Sequence, residues 1–363
     1  MAGLRHALGR HRKMNRKKAW RPAKTGPSRP GERAGSKGFR PAKWNAVLFD
    51  IDGVLVDVRR SYIDAIRKTV DLYLQKILLV PAYSGFLLSR EDINRFKLLG
   101  GFNNDWDAVY GILLYLQSQV EKGPRKWEVL TVKKLRQLMN LKRLAQSVPR
   151  PCGIQPVKKL VKNPGLISYA LGKDMFQEIY LGEKLFKKDE GRNPLFSRTA
   201  GLIHFEKLFF PKTLLKKLKV LGFSLGIVTG RTRFEAEYVL KRFNIREFFK
   251  AIITHDDVTL RKPHPFPVLA CARKIAGGWP GPIRSGRHLR LGQIGRRRSF
   301  IYVGDLPDDI RAANASKKTI RILSCGVLYG QDEPGKAEQA FKKAGVDFLI
   351  ARPVDLLSAI RGK

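Results

Sequence analysis

From residue 224 onward the sequence alternates short apolar runs with amphipathic segments, and that rhythm constrains the fold more than any other feature. "SLGIV" precedes "TRFEAEYVLKRFN", "FKAIIT" precedes "PFPVLACARKIA", "SFIYVG" precedes "PDDIRAANA", "TIRILSC" precedes "AEQAFKKAG", and "DFLI" precedes "PVDLLSAI". Runs that are apolar throughout fit strands buried on both faces, and strands that alternate with helices form a parallel sheet. The expected fold class is α/β, a doubly wound parallel sheet. One further apolar run, "WNAVLF" at 44–49, supplies a strand far upstream. The residues between, 58–200, read as helical and are too many for a loop. They are expected to form a helical cap inserted after the first strand. The predicted organisation is a basic tail (1–43), a core built from 44–57 and 201–363, and a cap (58–200).

Inside the cap, "RSYIDAIRKTVDLYL" places Tyr62, Ile66, Val70 and Leu74 on one helical face. "NDWDAVYGILLYLQSQV" starts at Asn104, a helix-capping residue, with Asp105 and Asp107 in the first turn. "LTVKKLRQLMNLKRLAQSV" reads as one helix. Trp106 is expected in the core, Asn103 and Asn104 at the pocket mouth, and Lys97 as a contact for a substrate anion. In "TRFEAEYVLKRFN", Thr232 and Glu235 have the spacing of a capping box.

The 363 residues carry a net charge of +40, and residues 1–43 hold 14 Lys and Arg against a single acid, Glu32. That tail is rich in Gly and Pro and has no apolar core, so it is expected to be disordered. It lacks the apolar stretch of a signal peptide, and a start codon set too early would explain it equally well. The surplus continues through the body, which favours non-specific attraction to polyanions over one dedicated site. The Arg-rich stretch 284–298 and the tail show no aromatic interleaving, so nucleic acid is expected to bind only non-specifically, through the tail. Apolar stretches such as "KILLVPAYSGFLL" are interrupted, which predicts no membrane span. Cys152, Cys271 and Cys325 lie far apart, which predicts reduced core residues in a cytoplasmic protein.

In a doubly wound sheet the ligand lies at the carboxyl ends of the strands. Asp50, Asp52 and Gly53 follow the first strand. Thr229, Gly230 and Arg231 follow "LGIV", and Lys262 stands in "HDDVTLRKPHP" beyond "AIIT". Gly304, Asp305, Asp308 and Asp309 follow "IYV". Asp50 and Asp52 share one side of their strand, where like charges repel unless a cation lies between them. Carboxylates plus phosphate oxygens suit Mg²⁺, a lysine and a threonine can hold phosphoryl oxygens, and aspartate can attack phosphorus. His255 and His264 read as loop residues.

"DIDGVL" from Asp50, "VTGR" from Val228, "RKPHP" around Lys262 and "VGDLPDD" from Val303 resemble, in order, the four motifs of the haloacid dehalogenase-like superfamily. The resemblance covers roughly 44–360, and the helical insert looks like the α-helical cap of its phosphoglycolate phosphatase-like members. It implies a Mg²⁺-dependent phosphatase acting on a small phosphate ester. Asp50 would be the nucleophile that forms an aspartyl-phosphate. Asp52 would serve as general acid, then as base; the superfamily's dehalogenases keep no acid there. Thr229, the Gly230 amide and Lys262 would hold the phosphoryl group. Asp50, Asp305 and the Asp52 backbone carbonyl would bind the metal, with Asp309 behind them. Asp308 has no assigned part. The rival expectations are a phosphomutase using the same intermediate and a non-catalytic polyanion binder using the basic tail.

Overall fold

The computed structural model describes residues 45–102, 104–123, 126–150, 152–277 and 298–361. The basic segment 1–43, Asn103 and all of the Arg-rich stretch except Arg298 lie outside these residues. The chain enters at β1 (Ala46–Phe49) and β2 (Val56–Asp57) and then runs through helices α1 (Tyr62–Lys76), α2 (Arg90–Lys97) and α3 (Asp105–Val120). Helices α4 (Val132–Leu138), α5 (Leu141–Ser147), α6 (Ile154–Lys158) and α7 (Tyr169–Glu190) follow. The alternating part comprises β3 (Lys207–Leu208), α8 (Lys212–Val220), β4 (Ser224–Val228), α9 (Arg233–Arg242), β5 (Phe249–Ile253) and α10 (Phe266–Ala276). It closes with β6 (Ser299–Gly304), α11 (Pro307–Ser316), β7 (Arg321–Val327), α12 (Pro334–Lys343), β8 (Phe348–Ile350) and α13 (Asp355–Arg361).

The main sheet has the order β5-β4-β1-β6-β7-β8. All of its pairs are parallel, with Phe49 opposite Ile227 on one side and Val303 on the other. The fold is α/β and doubly wound, as the alternating pattern predicts. β1 lies in the interior of the sheet, and the order reverses around it. Its residues alternate between two cores. Val47 and Phe49 belong to the cluster that continues into the helical insert, whereas Ala46 and Leu48 pack with α10 and α11 residues. Phe49 is boxed edge-on by Phe210 and Phe249 at 5.2 and 6.3 Å. The strand carrying Asp50 is therefore fixed from both faces.

The insert is helical for local reasons. Ser89 and Asp92 form a capping box on α2. The Asn104 side chain accepts from the Asp107 amide at 2.7 Å to start α3, with Asp105 and Asp107 favoured by the helix dipole. The α1 face of Tyr62, Ile66, Val70 and Leu74 is buried. Tyr62 stacks on Tyr180 of α7 at 4.4 Å. The reading of 130–148 as one helix is corrected. It is two, α4 and α5, because Met139 leaves helical geometry and the Asn140 side chain caps α5 through the Arg143 amide. Tyr115 of α3 fixes that break, since its hydroxyl donates to the Asn140 carbonyl at 2.8 Å. A short antiparallel ribbon, β2 with β3, joins the segment after β1 to the segment before α8.

Gly226, inside β4, shows how tightly the sheet meets α10. A Cβ there would come within 2.6 Å of Cys271 Sγ, 2.9 Å of Ile275 and 3.0 Å of Leu48. Overpacking a core costs about 1–3 kcal/mol. We expect Gly226→Ala to lower stability by that amount in urea titrations, with the m-value unchanged; an unaltered midpoint would show that this packing is looser than described.

Candidate active site

The strand ends bring one lysine and several acids together. Asp50, the residue directly after β1, donates its own amide to the Val303 carbonyl and is buried. Its Oδ1 accepts from the Ile51 amide at 2.8 Å, and its Oδ2 accepts from Lys262 Nζ at 2.8 Å. Lys262 reaches in from the loop after β5 and also donates to Asp309 Oδ1 at 2.7 Å and to the Tyr302 hydroxyl at 3.3 Å. Asp309 accepts four hydrogen bonds. Lys262 and the Tyr302 hydroxyl (3.0 Å) share Oδ1, and the amides of Asp305 and Leu306 (3.1 and 3.0 Å) share Oδ2. Its lone pairs are committed to orienting the lysine and the start of α11.

Asp305 completes the group. One oxygen from each of Asp50, Asp305 and Asp309 lies within 4.8 Å of the others. Room for Asp305 comes from Gly53, whose φ of +70° favours glycine and whose missing Cβ would lie 2.2 Å from Asp305 Oδ2. Burial pushes the Asp50 carboxyl up to about 7, with Lys262 opposing and Asp309 and Asp52 adding repulsion. Burial, then Asp309 and Asp50, push Asp305 well above the carboxylate range. Lys262 is held firmly protonated, because Asp309 and Asp50 outweigh the opposing effect of burial.

The other acid of the first motif points elsewhere. Asp52 Oδ1 accepts from Arg231 Nε at 2.9 Å and Nη2 at 2.6 Å. Arg231 Nη2 also donates to Glu206 Oε1 (3.0 Å), and Nη1 donates to the Tyr180 hydroxyl (2.9 Å). Glu206 Oε1 further accepts from Ser61 Oγ and from the Tyr180 hydroxyl. Behind them, Glu235 accepts from Tyr62 and from Gln177 at 3.1 and 2.9 Å while closing the capping box with Thr232. Five carboxylates (Asp50, Asp52, Asp305, Asp309 and Glu206) thus meet two hydrogen-bonded cations, Lys262 and Arg231. The deficit of positive charge and the all-oxygen donors fit a hard divalent cation such as Mg²⁺.

Thr229, at the end of β4, accepts the Arg231 amide on Oγ1 at 3.2 Å. With Gly230, Lys262, Asn104 and His255 it lines a small pocket. Asn104 therefore caps α3 and also faces the core. Its Nδ2 is buried without a partner among the described residues, as is His255 Nε2. Trp106 packs edge-on against His255 at 5.3 Å. Lys97 is paired with Asp105 at 2.6 Å and lines, with Gly53 and Asp305, a separate cleft. His264 accepts the Phe266 amide at the start of α10. Asp308 has a clear part, since its Oδ2 accepts the Gly101 amide at 2.6 Å and so ties α11 to the insert. Sequence reasoning missed Glu206, Tyr180 and Tyr302, none of which carries a local signal. It placed Arg231 at the rim without a part and read Glu235 only as a helix cap.

A buried aspartate at the end of a central parallel strand is gripped by a lysine from the loop after β5, two strands away, and crowded by two acids that follow β6, an arrangement suited to an aspartate-dependent α/β hydrolase. Comparison with known proteins agrees. The family model of haloacid dehalogenase-like hydrolases matches residues 44–317, and the chain belongs to that family. It is 29% identical over 150 residues to a phosphoglycolate phosphatase of Yersinia pseudotuberculosis, a match covering 41% of this chain and 53% of that protein. It is 32% identical over 152 residues to the pyrophosphatase PpaX of Bacillus pumilus, covering 41% and 58%. The chain thus spans about half the length of the curated relatives it matches. Among solved structures, phosphatase Tt82 from Thermococcus thioreducens aligns with a TM-score of 0.50 at 20% identity, over 82% of this chain and 98% of that one. A structural-genomics target aligns at 0.54 and 21% identity, over 87% and 98%. These two likenesses concern the fold.

Glu235 gives the network a pH signature. Burial raises its carboxyl to about 7 from 4.5, against the pull of Arg231 and the hydrogen bonds of Gln177 and Tyr62. An acid that binds its proton more tightly when folded loses stability as pH rises from its unfolded to its folded value, here between 4.5 and about 7. The ceiling on that loss is about 3 kcal/mol. We expect Glu235→Gln to gain on the wild type by about 1–3 kcal/mol between pH 5 and pH 8 in denaturant titrations. A difference that does not vary with pH would contradict the assignment.

Proposed function

We propose that this protein is a Mg²⁺-dependent phosphomonoesterase that works through a phosphorylated Asp50. The observation that carries this reading is the seat of Asp50, buried at a strand end, within 2.8 Å of Lys262, and flanked by Asp305 across Gly53. Asp50 attacks phosphorus and the ester oxygen departs. Lys262 neutralises the nucleophile's second oxygen and steadies the phosphoryl group, which Thr229 Oγ1 and the Gly230 amide hold from the β4 side. Asp52 protonates the leaving oxygen and afterwards takes a proton from the water that opens the acyl phosphate. Asp50, Asp305 and the backbone carbonyl of Asp52 would hold Mg²⁺. The cation supplies charge neutralisation between an anionic nucleophile and an anionic substrate. Asp309, its oxygens already engaged, keeps Lys262 in place.

The insert 58–200 would act as the cap over a core of 44–57 and 201–363, excluding water during transfer. Asn104 faces the Thr229 cavity, while Lys97 lines the cleft beside Asp305. Both would contribute to selection among small phosphate esters. The relatives' names make phosphoglycolate and pyrophosphate the first substrates to try. Among the described residues no helix is long and apolar enough to cross a membrane. The proposed enzyme would act in the cytoplasm on a diffusible metabolite.

Phosphate release from a panel of phosphometabolites is the direct test. We expect turnover that needs Mg²⁺, stops on chelation and returns on readdition. Asp50→Asn should lower kcat by at least about a thousandfold while the protein stays folded. Undiminished turnover in Asp50→Asn would overturn the reading.

A further inference from the structure

We propose that Arg231 is the positioning residue that aims Asp52, so that one carboxylate oxygen is pinned and the other is presented to the substrate's leaving group. The proposal rests on the phosphatase reading above, since it assigns Asp52's partner in the proton-transfer step. Arg231 stands immediately after Thr229-Gly230, and its side chain is wholly buried. Four of its N–H groups are used. Nε and Nη2 converge on Asp52 Oδ1, Nη2 also meets Glu206, and Nη1 meets Tyr180. The guanidinium carbon lies 5.0 Å over the Tyr62 ring, which blocks one face. A planar fork held at so many points has one orientation. Asp52 Oδ2 has no hydrogen-bond partner among the described residues, and about a quarter of the side chain is exposed.

The anchors come from distant parts of the chain. Ser61 lies at the start of α1, Tyr180 on α7 and Glu206 just before β3. The aim of Asp52 is thus set by insert and core together. Because Glu206 shares the guanidinium, its charge is not devoted to Asp52 alone. Retention for stability alone is a poor explanation, since a buried ion pair is often no more stabilising than apolar residues of equal volume. In the reaction, Asp50 bonds to phosphorus, the ester P–O bond breaks, and the proton on Asp52 Oδ2 goes to the departing oxygen. Without Arg231 the carboxylate is free to rotate and the donor is misplaced.

Leaving groups that differ in their need for a proton test this. The probes are p-nitrophenyl phosphate, whose phenolate leaves unaided, and the best alkyl phosphate of the metabolite panel. Both are followed through the first turnover with Mg²⁺, for the wild type, Arg231→Gln and Arg231→Gln with Glu206→Gln. The double variant removes the opposing charges together and guards against misfolding from a lone buried acid. We expect first-turnover cleavage of the alkyl ester to slow about a hundredfold in both variants. Release of p-nitrophenolate should stay within a factor of about three and appear as a burst, because hydrolysis of the phosphoenzyme also needs Asp52. Equal losses on both substrates would overturn the role of Arg231 and leave the phosphatase reading intact. No Mg²⁺-dependent turnover by the wild type would overturn both.

Discussion

The site depends on one electrostatic problem, the crowding of carboxylates at the ends of β1 and β6. Each acid alone would be unremarkable in a loop. Packed into a buried rim they repel one another, and desolvation adds to the cost. The fold resolves this with two fixed cations that divide the acids into separate groups. Lys262 holds Asp50 and Asp309, while Arg231 holds Asp52 and Glu206. The two acids of the first motif, two residues apart, therefore sit in different surroundings, which suits the two tasks proposed for them. Asp305 is left with a smaller share of compensation, and the site keeps a deficit that a divalent cation would fill.

The surrounding structure serves this arrangement. β1 is fixed by neighbours on both sides and by cores on both faces, so Asp50 has little freedom. Small residues admit the acids to one another. Gly53 leaves space for the Asp305 carboxylate, and a Cβ on Gly304 would lie 2.2 Å from Asp309 Cβ. The insert reaches the core through polar contacts as well as packing. Ser61 and Tyr180 back Glu206, Tyr62 and Gln177 back Glu235, and the Gly101 amide meets Asp308. A buried hydrogen bond left unmade costs about 1–3 kcal/mol, so these contacts fix how the insert meets the rim. The chain's net charge of +40 attracts anions in general, whereas the rim itself carries a local excess of acids.

Much of this was legible in the sequence because parallel sheets place ligands at strand ends. Reading the residues after "AVLF", "LGIV", "AIIT" and "IYV" found Asp50, Thr229, Lys262 and Asp305, which the fold gathers along one rim. Periodicity gave the buried face of α1, and the Thr232–Glu235 spacing gave a real capping box. Long-range pairing was beyond reach. Arg231 meets Asp52 across 179 residues and Glu206 across 25, and no local pattern marks either. Tyr302 reads as a strand residue, and only the neighbouring strand ends reveal its hydroxyl beside Lys262. The α4–α5 break depends on Tyr115 from another helix, and the β2–β3 ribbon pairs segments about 150 residues apart.

The most direct measurement is a crystal structure of the protein grown with Mg²⁺ and beryllofluoride, which mimics a phosphoryl group bound to a carboxylate. The account predicts the fluoride adduct on an Asp50 oxygen, with Thr229 and Lys262 on its fluorines, Mg²⁺ between Asp50 and Asp305, and Asp52 still gripped by Arg231. An adduct on any other carboxylate, or a cation seated away from Asp305, would contradict it.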